Sequence, residues 1–540
     1  MNTCEVRIEE MISRFLNRQL TTRVVILVIL SGCGHGDGDS LQTLDVLAQG
    51  IPIGERVQIG VNETEFIDVT SNSVSQHALA FDAHVSELAV VKAPALTKCD
   101  IVSKKQRRNT GRLEVMCTSR IPQFQPLVSL DTVPDRGQVQ NIYWIGALGE
   151  TALFALADSR RNSSDLWRSD GTPAGTFPLT SNSIGEYVSS PGLSLGDYSV
   201  IQRISYQSEG SPSIWRSDGT QAGTYELDNA IGLPEGGYSN PVLFGDGALW
   251  FFRESASGIC HLKYYDGSVV RSLDSVVNIF DLFLVADNSA VIFVVNPSAD
   301  EVVFKRMDSS GLTLSDVEGF ISWFGAPSIF GQSNGEYLFV NVFPRNELWI
   351  TDGTREKTRK IAHNAFSRLV DTPNGVGAKR GVTDDSFFVA SDSEARVYGL
   401  FKTDGTESGT SRLGQVVFDG DPNRKPLFRV NGGLYFVGSD GAAFSPFVYR
   451  RGTLTKIRQF EANGRIDEFV GMGGLTYFRA YDESFGSDSL WISDDTEKGT
   501  RAIASQIAFV RSLLATEKNV FVLASERDGG RKVWVSVDAE

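Results

Sequence analysis

The sequence predicts an all-β protein: a β-propeller of about nine four-stranded blades, preceded by a small β-sandwich-like domain. Three observations carry this. The stretch "LWRSDGTPAGT" (166–176) returns as "IWRSDGTQAGT" 48 residues later, and further copies follow. An apolar run begins 12 to 16 residues ahead of each copy, nine times in all, at spacings of 41 to 50 residues. Each run is short, β-branched and aromatic, and bounded by Gly, Asp or Asn, which is how strands read.

From the N-terminus, residues 1–32 read as a targeting segment. "TTRVVILVILSGC" puts Arg23 before the apolar residues 24–30, a run too short to span a bilayer but suited to a signal-peptide core. A start at Met11 would place Arg14, Arg18 and Arg23 ahead of the run without Glu5, Glu9 and Glu10. "LSGC" (30–33) resembles the lipobox of bacterial lipoproteins, whose Cys is lipidated and becomes the first mature residue. The resemblance implies a lipid anchor, palmitate included, at Cys33; the plainer reading is a cleaved secretory signal with an incidental Cys. Residues 33–40 then form a Gly-rich tether. Gly34 after the Cys, in place of Asp, implies the outer membrane of the cell envelope by resemblance to Gram-negative sorting.

Residues 41–122 alternate polar and apolar in short stretches such as "ERVQIGV" and "RLEVMC". They are expected to form a small β-sandwich, of which the immunoglobulin type is one candidate. With Cys4 removed and Cys33 lipidated, Cys99, Cys117 and Cys260 are left. Cys99 and Cys117 can pair in an oxidising compartment, and Cys260 is expected as a buried apolar filler.

The ring occupies residues 127–540. The apolar runs ("ALFALA" at 152, "ALWFF" at 248, "NVFVLA" at 519) are apolar on consecutive residues, so both faces of each strand are buried between neighbouring sheets. In "LWRSDGT", Leu166 and Trp167 point to opposite faces. Asp170 then starts a turn whose backbone N–H groups its carboxylate can accept, and Gly171 supplies the positive φ of a tight reversal. Asp218 and Gly219, Asp352 and Gly353, Asp404 and Gly405, and Asp494 hold the same places in the other strong copies. Each copy is expected to join the third and fourth strands of a four-stranded unit, and the second Gly-Thr to open the fourth strand. Weaker copies begin at Leu262, Val303, Val448 and Val533. Such a period argues for a propeller ahead of a β-solenoid.

These repeats are similar to those of the bacterial ELWxxDGT repeat proteins, which read Glu-Leu-Trp-x-x-Asp-Gly-Thr-x-x-Gly-Thr. The fullest copy is "ELWITDGT" (347–354), although Lys357 stands where the second Gly would be. Units three, four, seven and nine have lost most of the motif. The ninth unit ends after its third strand, so "LVSLDTV" (127–133) is expected to pair with the C-terminal "KVWVSV" and close the ring. Eight blades is the alternative, if one degenerate unit is misread.

Little in the chain advertises chemistry. His261 and His363 lie in different units, and no CxxC or HxxxH pair exists. Ser194 and Ser333 sit in G-x-S-x-G matches, but between strands, not in the strand–turn–helix a nucleophile elbow needs. Asp419, Asp421 and Asn423 have the spacing of the first calcium-loop ligands, yet Arg424 and Val430 occupy the loop Gly and bidentate Glu positions, so a solvated turn is expected and no cofactor. Arg120 in "SRIP" (119–122) resembles the Arg-Ile-Pro motif of sialidases; the missing spacers in "SDGT" favour a linker residue instead. The formal net charge of −15 disfavours nucleic acid and anionic lipid as partners.

The function expected is a lipid-anchored envelope protein whose propeller binds or scaffolds a protein, peptide or glycan. The loops 318–328 and 480–489 are candidate recognition elements. The alternative is a glycan-active hydrolase or lyase with its site at the channel mouth, built from residues of several blades. A third is a structural part of a larger envelope complex.

Overall fold

The computed structural model describes most of residues 41–540. Residues 1–40, 52–54, 62–64, 84–87, 108–109, 130–138, 159–162, 181–185, 189–191, 206–211, 285–289, 317–327, 342–346, 352–358, 363–365, 370–385, 393–397, 419–426, 461–465, 483–485, 504–506, 526–530, 538–540 and a few isolated positions lie outside that description. Among the described residues there are strands and turns and no helix.

The chain divides into two compact units. The first holds the described residues of 41–51, 56–92 and 100–116. Its strands are β1 (Leu41–Gln49), β2 (Val57–Gly60), β3 (Phe66–Val69), β4 (Val74–Ala83), β5 (Ala89–Lys92), β6 (Thr97–Arg107) and β7 (Thr110–Ser119). They form a four-stranded sheet in the order β4-β1-β7-β6 and a three-stranded sheet in the order β3-β2-β5. Both sheets alternate as half-buried sheets do: Leu44, Val46, Ala48, Leu113 and Val115 are buried in one, and Val57, Ile59, Ile67 and Val69 in the other. β1 runs parallel to β7, with Thr43 opposite Thr110.

The second unit is the propeller, and its described residues form nine successive sheets. Blade 1 has the order Phe177–Pro178, Ser163–Ser169, Thr151–Asp158, Val139–Leu148, so strands follow one another outward in chain order. Blades 4 to 8 repeat this order, and blades 2 and 3 carry a split first strand. Every apolar run of the sequence is the second strand of its blade, from Thr151–Asp158 in blade 1 to Val520–Ser525 in blade 9.

Why those runs are apolar throughout is visible in the packing. In blade 1, Ala152, Phe154 and Leu156 pack on Phe521, Leu523, Val533 and Val535 of blade 9. The alternate residues Leu153 and Ala155 pack on Val188 and Ile201 of blade 2. Leu166 joins the second cluster and Trp167 the first, so the Leu-Trp pair does divide between two neighbours. Burying a side chain of this size contributes about 1.5–3 kcal/mol, and each blade repeats it on both faces.

Blade 9 closes the ring. Its first three strands are Ala508–Ala515, Val520–Ser525 and Arg531–Val537, and its fourth is β8 (Gln123–Ser129) from the other end of the chain. The sequence placed the closing strand at 127–133; the pairing runs from Lys532 opposite Ser129 to Val537 opposite Gln123, four residues earlier. The displaced register follows the pleat. Phe124 packs on the blade 8–9 core and Leu127 on the blade 9–1 core, so the strand begins at Gln123 and takes in only the first part of "LVSLDTV"; residues 130–133 lie outside the described residues.

Candidate functional site

The turn after the third strand is the most faithfully repeated element, and its chemistry is internal. In blade 1, Asp170 Oδ1 accepts from the Thr172 amide at 2.9 Å and its hydroxyl at 2.8 Å. Thr172 Oγ1 in turn accepts from the Gly175 amide at 2.9 Å. Thr176 Oγ1 donates to the Thr172 carbonyl at 2.6 Å and lies 2.8 Å from Ser169 Oγ, which accepts the Gly171 amide. Blades 2, 6 and 8 repeat this network around Asp218, Asp404 and Asp494. Asp352 and Gly353 of blade 5 lie outside the described residues.

Two glycines serve two purposes. Gly171, Gly219 and Gly405 hold φ of 93°, 81° and 86°, the left-handed conformation that Gly adopts without strain. In blade 8 Asp495 takes that place at φ 71°. The second glycine, expected to open the next strand, has a steric role. A Cβ at Gly175, Gly223, Gly409 or Gly499 would land on the carboxylate of Asp170, Asp218, Asp404 or Asp494. The strong copies themselves held this signal, since Gly recurs there at a fixed offset from Asp.

These bonds set the ionisation of the turns. Around Asp404 the Thr406 hydroxyl and then the Thr406 amide hold the carboxyl below its ordinary range. At Asp170 and Asp218 burial pulls the other way, but the Thr hydroxyl, the amides and the nearby Arg outweigh it. The weaker copy in blade 3 keeps the device with a serine: Asp266 Oδ1 accepts from the Ser268 hydroxyl and from the Ser268 and Val269 amides, and its carboxyl is also depressed. Blade 7 discards it for a two-residue reversal at Arg451 and Gly452, both at positive φ.

Because strands alternate direction, all these turns emerge on one face with the turns joining first and second strands, and there they connect neighbours. Arg168 Nη1 donates to the Gly219 carbonyl at 3.1 Å, Arg458 Nη1 to the Thr500 carbonyl at 2.6 Å, and Asn519 Nδ2 to the Asp170 carbonyl at 3.3 Å. Arg120 belongs to the same face: its Nη2 donates to the Gly473 carbonyl at 2.6 Å and its amide to the Leu96 carbonyl at 2.9 Å. It is a clasp on blade 8, and Leu96 itself packs into the blade 8–9 core. Cys99 and Cys117, which flank these contacts, are joined as a disulfide. Cys260 is a free, fully buried thiol whose pKa burial pushes up.

Between blades 2 and 3 the turn face carries an aromatic and cationic surface. The Arg216 guanidinium lies 4.9 Å from the ring of Tyr198 and 5.6 Å from that of Tyr225, and donates to Asp218 at 3.2 Å and to the Gly223 carbonyl at 2.8 Å. Tyr225 is 43% exposed, while Tyr265 is buried against Tyr198 with ring centroids 5.8 Å apart. Asp266 and Arg271, paired at 2.7 Å, lie on the neighbouring turn.

The first strands contain a second kind of polar contact. Arg479, on the second strand of blade 8, is 8% exposed and clamps Asp467 of the first strand through Nε and Nη2, while Nη1 reaches the Arg511 carbonyl of blade 9 at 2.6 Å. Gln202 holds the same place in blade 2 and donates to the Tyr238 carbonyl of blade 3 at 2.7 Å. The first strands of blades 8 and 9 bulge here, and the side-chain donors meet carbonyls that the bulges free from the ladder.

One hydrogen-bonded series joins a serine, a histidine and a carboxylate. In blade 3, Glu254 Oε1 lies 2.8 Å from His261 Nε2, and His261 Nδ1 lies 3.1 Å from Ser275 Oγ. Ser257 donates to the other Glu254 oxygen, and these bonds keep the Glu254 carboxyl below its usual range. Strand pairing accounts for part of the series, since His261 and Ser275 stand opposite each other, and Ser275 is exposed on the outer strand. Sequence spacing could not reveal it, because a bulge after His261 sets the register.

The remaining expected positions are quickly placed. Ser194 is in a strand pair, its hydroxyl donating to the Ala147 carbonyl at 3.2 Å. Ser333 ends the strand Ser328–Ser333. Neither stands on a strand–turn–helix. Cys33, His363, Asp419, Asp421, Asn423, residues 318–327 and residues 483–485 lie outside the described residues. Among the described residues no three His, Cys, Asp or Glu side chains gather as a metal-ligating group.

No protein-family model matches the chain, and no curated protein does. Solved structures do. A puromycin hydrolase matches at 14% identity over 64% of this chain and 51% of its own, with a TM-score of 0.34. The β-propeller domain of the Trilobed protease from Pyrococcus furiosus matches at 14% identity over 56% and 95%, with a TM-score of 0.30. A eukaryotic initiation factor matches at 13% identity over 72% and 90%, with a TM-score of 0.41. The chain thus spans about half the length of the puromycin hydrolase. At these TM-scores the likenesses carry no argument about activity, and the propeller rests on its own sheet topology.

Proposed function

We propose that this protein is a lipid-anchored component of the bacterial cell envelope, a member of the ELWxxDGT repeat proteins, whose propeller binds a peptide, protein or glycan on its turn face. The observation that carries the binding reading is the Arg216–Tyr198–Tyr225 surface. A half-exposed Tyr on a stacked guanidinium is rigid, amphipathic and partly desolvated, the combination that recurring interface anchors use. The turns beneath it are locked by their own Asp-Thr bonds, so binding there orders little chain. The lipobox, the tether and the outer-membrane address support the localisation.

The test is a screen of envelope glycans and peptides with the wild type and Tyr225→Ala. A ligand whose affinity falls tenfold or more in the variant supports the site; a ligand bound equally by both places recognition elsewhere. A second reading, hydrolysis, is favoured by the Glu254–His261–Ser275 series alone. Covalent labelling of Ser275 by a fluorophosphonate, lost in His261→Ala, would replace the binding reading with that one.

A further inference from the structure

The acidic balance of the chain hides a local reversal. Residues 97–119, the β6–β7 hairpin, hold six Lys and Arg against two Asp and Glu, whereas the whole chain holds 51 against 66. β6 ends at Arg107 and β7 begins at Thr110, so the two strands reverse at one end of their sheet. Lys104, Lys105 and Arg112 are exposed toward that end. The Lys104 ammonium is partly occupied by the Leu88 carbonyl at 2.7 Å, and Arg112 is held loosely by Glu114 at 3.8 Å.

Topology fixes where the tether leaves. β1 is parallel to β7 and adjacent to it, with Thr43 opposite Thr110 and their hydroxyls 3.1 Å apart. Leu41 therefore begins at the same end of the sheet as the basic reversal. Two strand spacings separate β1 from β6, roughly 10 Å. Residues 34–40 span at most roughly 27 Å from Cys33 to Leu41 when extended, and on the order of 15 Å as a Gly-rich coil. A tether of that length lets the hairpin come into contact with a bilayer that holds Cys33, inside the Debye length beyond which salt screens these charges.

We infer that the β6–β7 end of the N-terminal sheet is a headgroup-contact surface, which rests against an anionic phospholipid bilayer when the chain is anchored. The lipid tether supplies the proximity, and Lys105 and Arg112 supply the charge. The inference rests on the anchor proposed at Cys33, and mass analysis of the mature N-terminal peptide decides that separately.

The test uses the full, anchored chain reconstituted into vesicles and read by lysine acylation with mass spectrometry, comparing Lys105 with Lys518 as an internal reference. If the native anchor is absent, a lipid coupled chemically at Cys33 supplies it, so the hairpin is tested in either case. Phosphatidylglycerol vesicles should lower Lys105 modification at least about threefold relative to pure phosphatidylcholine, and high salt should restore it. Lys105→Glu with Arg112→Glu should remove the remaining protection of Lys104. Equal modification on both vesicles, protection that survives high salt, or the same protection from inorganic phosphate without vesicles would each overturn the inference.

Discussion

Replacing Arg479 with Ala tests the idea that buried donors on second strands hold adjacent blades together. Arg479 and Asp467 have side chains 9% and 17% exposed, and the guanidinium also satisfies the Arg511 carbonyl on the next blade. Breaking a buried pair from one side costs about 3–5 kcal/mol, because a charge and a carbonyl are left behind. The partial exposure of Asp467 puts the expectation at about 3 kcal/mol, toward the lower end. A long repeat array need not unfold in one step, so a local observable reads this seam more directly than a global unfolding free energy. Native-state hydrogen exchange of the strand Ala508–Ala515 reads the seam directly. A loss of about 3 kcal/mol appears as protection reduced on the order of 100-fold. Arg479→Gln combined with Asp467→Asn leaves no buried charge and puts at this place the side chain that Gln202 uses to reach the next blade, so it should recover most of it. A change below about fivefold in Arg479→Ala, less than about 1 kcal/mol, would refute the reasoning.

Three further outcomes follow from the turns. Gly223→Ala should destabilise blade 2 by about 1–3 kcal/mol, because its methyl meets the Asp218 carboxylate. Gly237→Ala, with open space around its Cβ, should stay within about 0.5 kcal/mol by urea midpoint. The depressed carboxyls of Asp170, Asp218 and Asp404 contribute stability that is full above the ordinary value of 3.8 and lost as pH falls through their lower folded values. Melting temperature should therefore be flat from pH 7 to 5 and drop below about pH 4, and the triple Asp→Asn variant should be less stable at pH 7 but flatter in acid. Asp495→Gly relieves a left-handed non-Gly residue, yet it removes the partner of Arg450 at 2.9 Å and of buried Tyr435, whose pKa burial, with help from Asp495, pushes up to about 12. The net should be a loss of about 1–2 kcal/mol, measured by thermal melting.

Blade number, strand roles and the closing of the ring were legible because they follow from periodicity and from burial on both faces, which leave runs such as "ALFALA" in the sequence. The turn chemistry was half legible. Asp170 and Gly171 announce a reversal, but the steric need for Gly175 appears only when the carboxylate is placed. The register of β8 depended on which of Phe124 and Leu127 meets which core, a tertiary matter. The Arg479 clamp, the Glu254–His261–Ser275 series and the Arg216 sandwich join residues through bulges and neighbouring blades, so no spacing records them.

The fourth strand of blade 9 precedes its partner by about 400 residues. At about 5–20 residues per second, synthesis leaves β8 waiting roughly 20–80 s for Arg531–Val537 to exist. Until then, blade 9 has no outer strand and β8 has no sheet. Arg531–Val537 thus acts as a completion signal for the ring. A chain cut short before Arg531 would keep the sequence of eight intact blades while offering two open strand edges, the kind of surface on which other chains pair. Quality control of the ring thus turns on one strand: whether Arg531–Val537 has arrived.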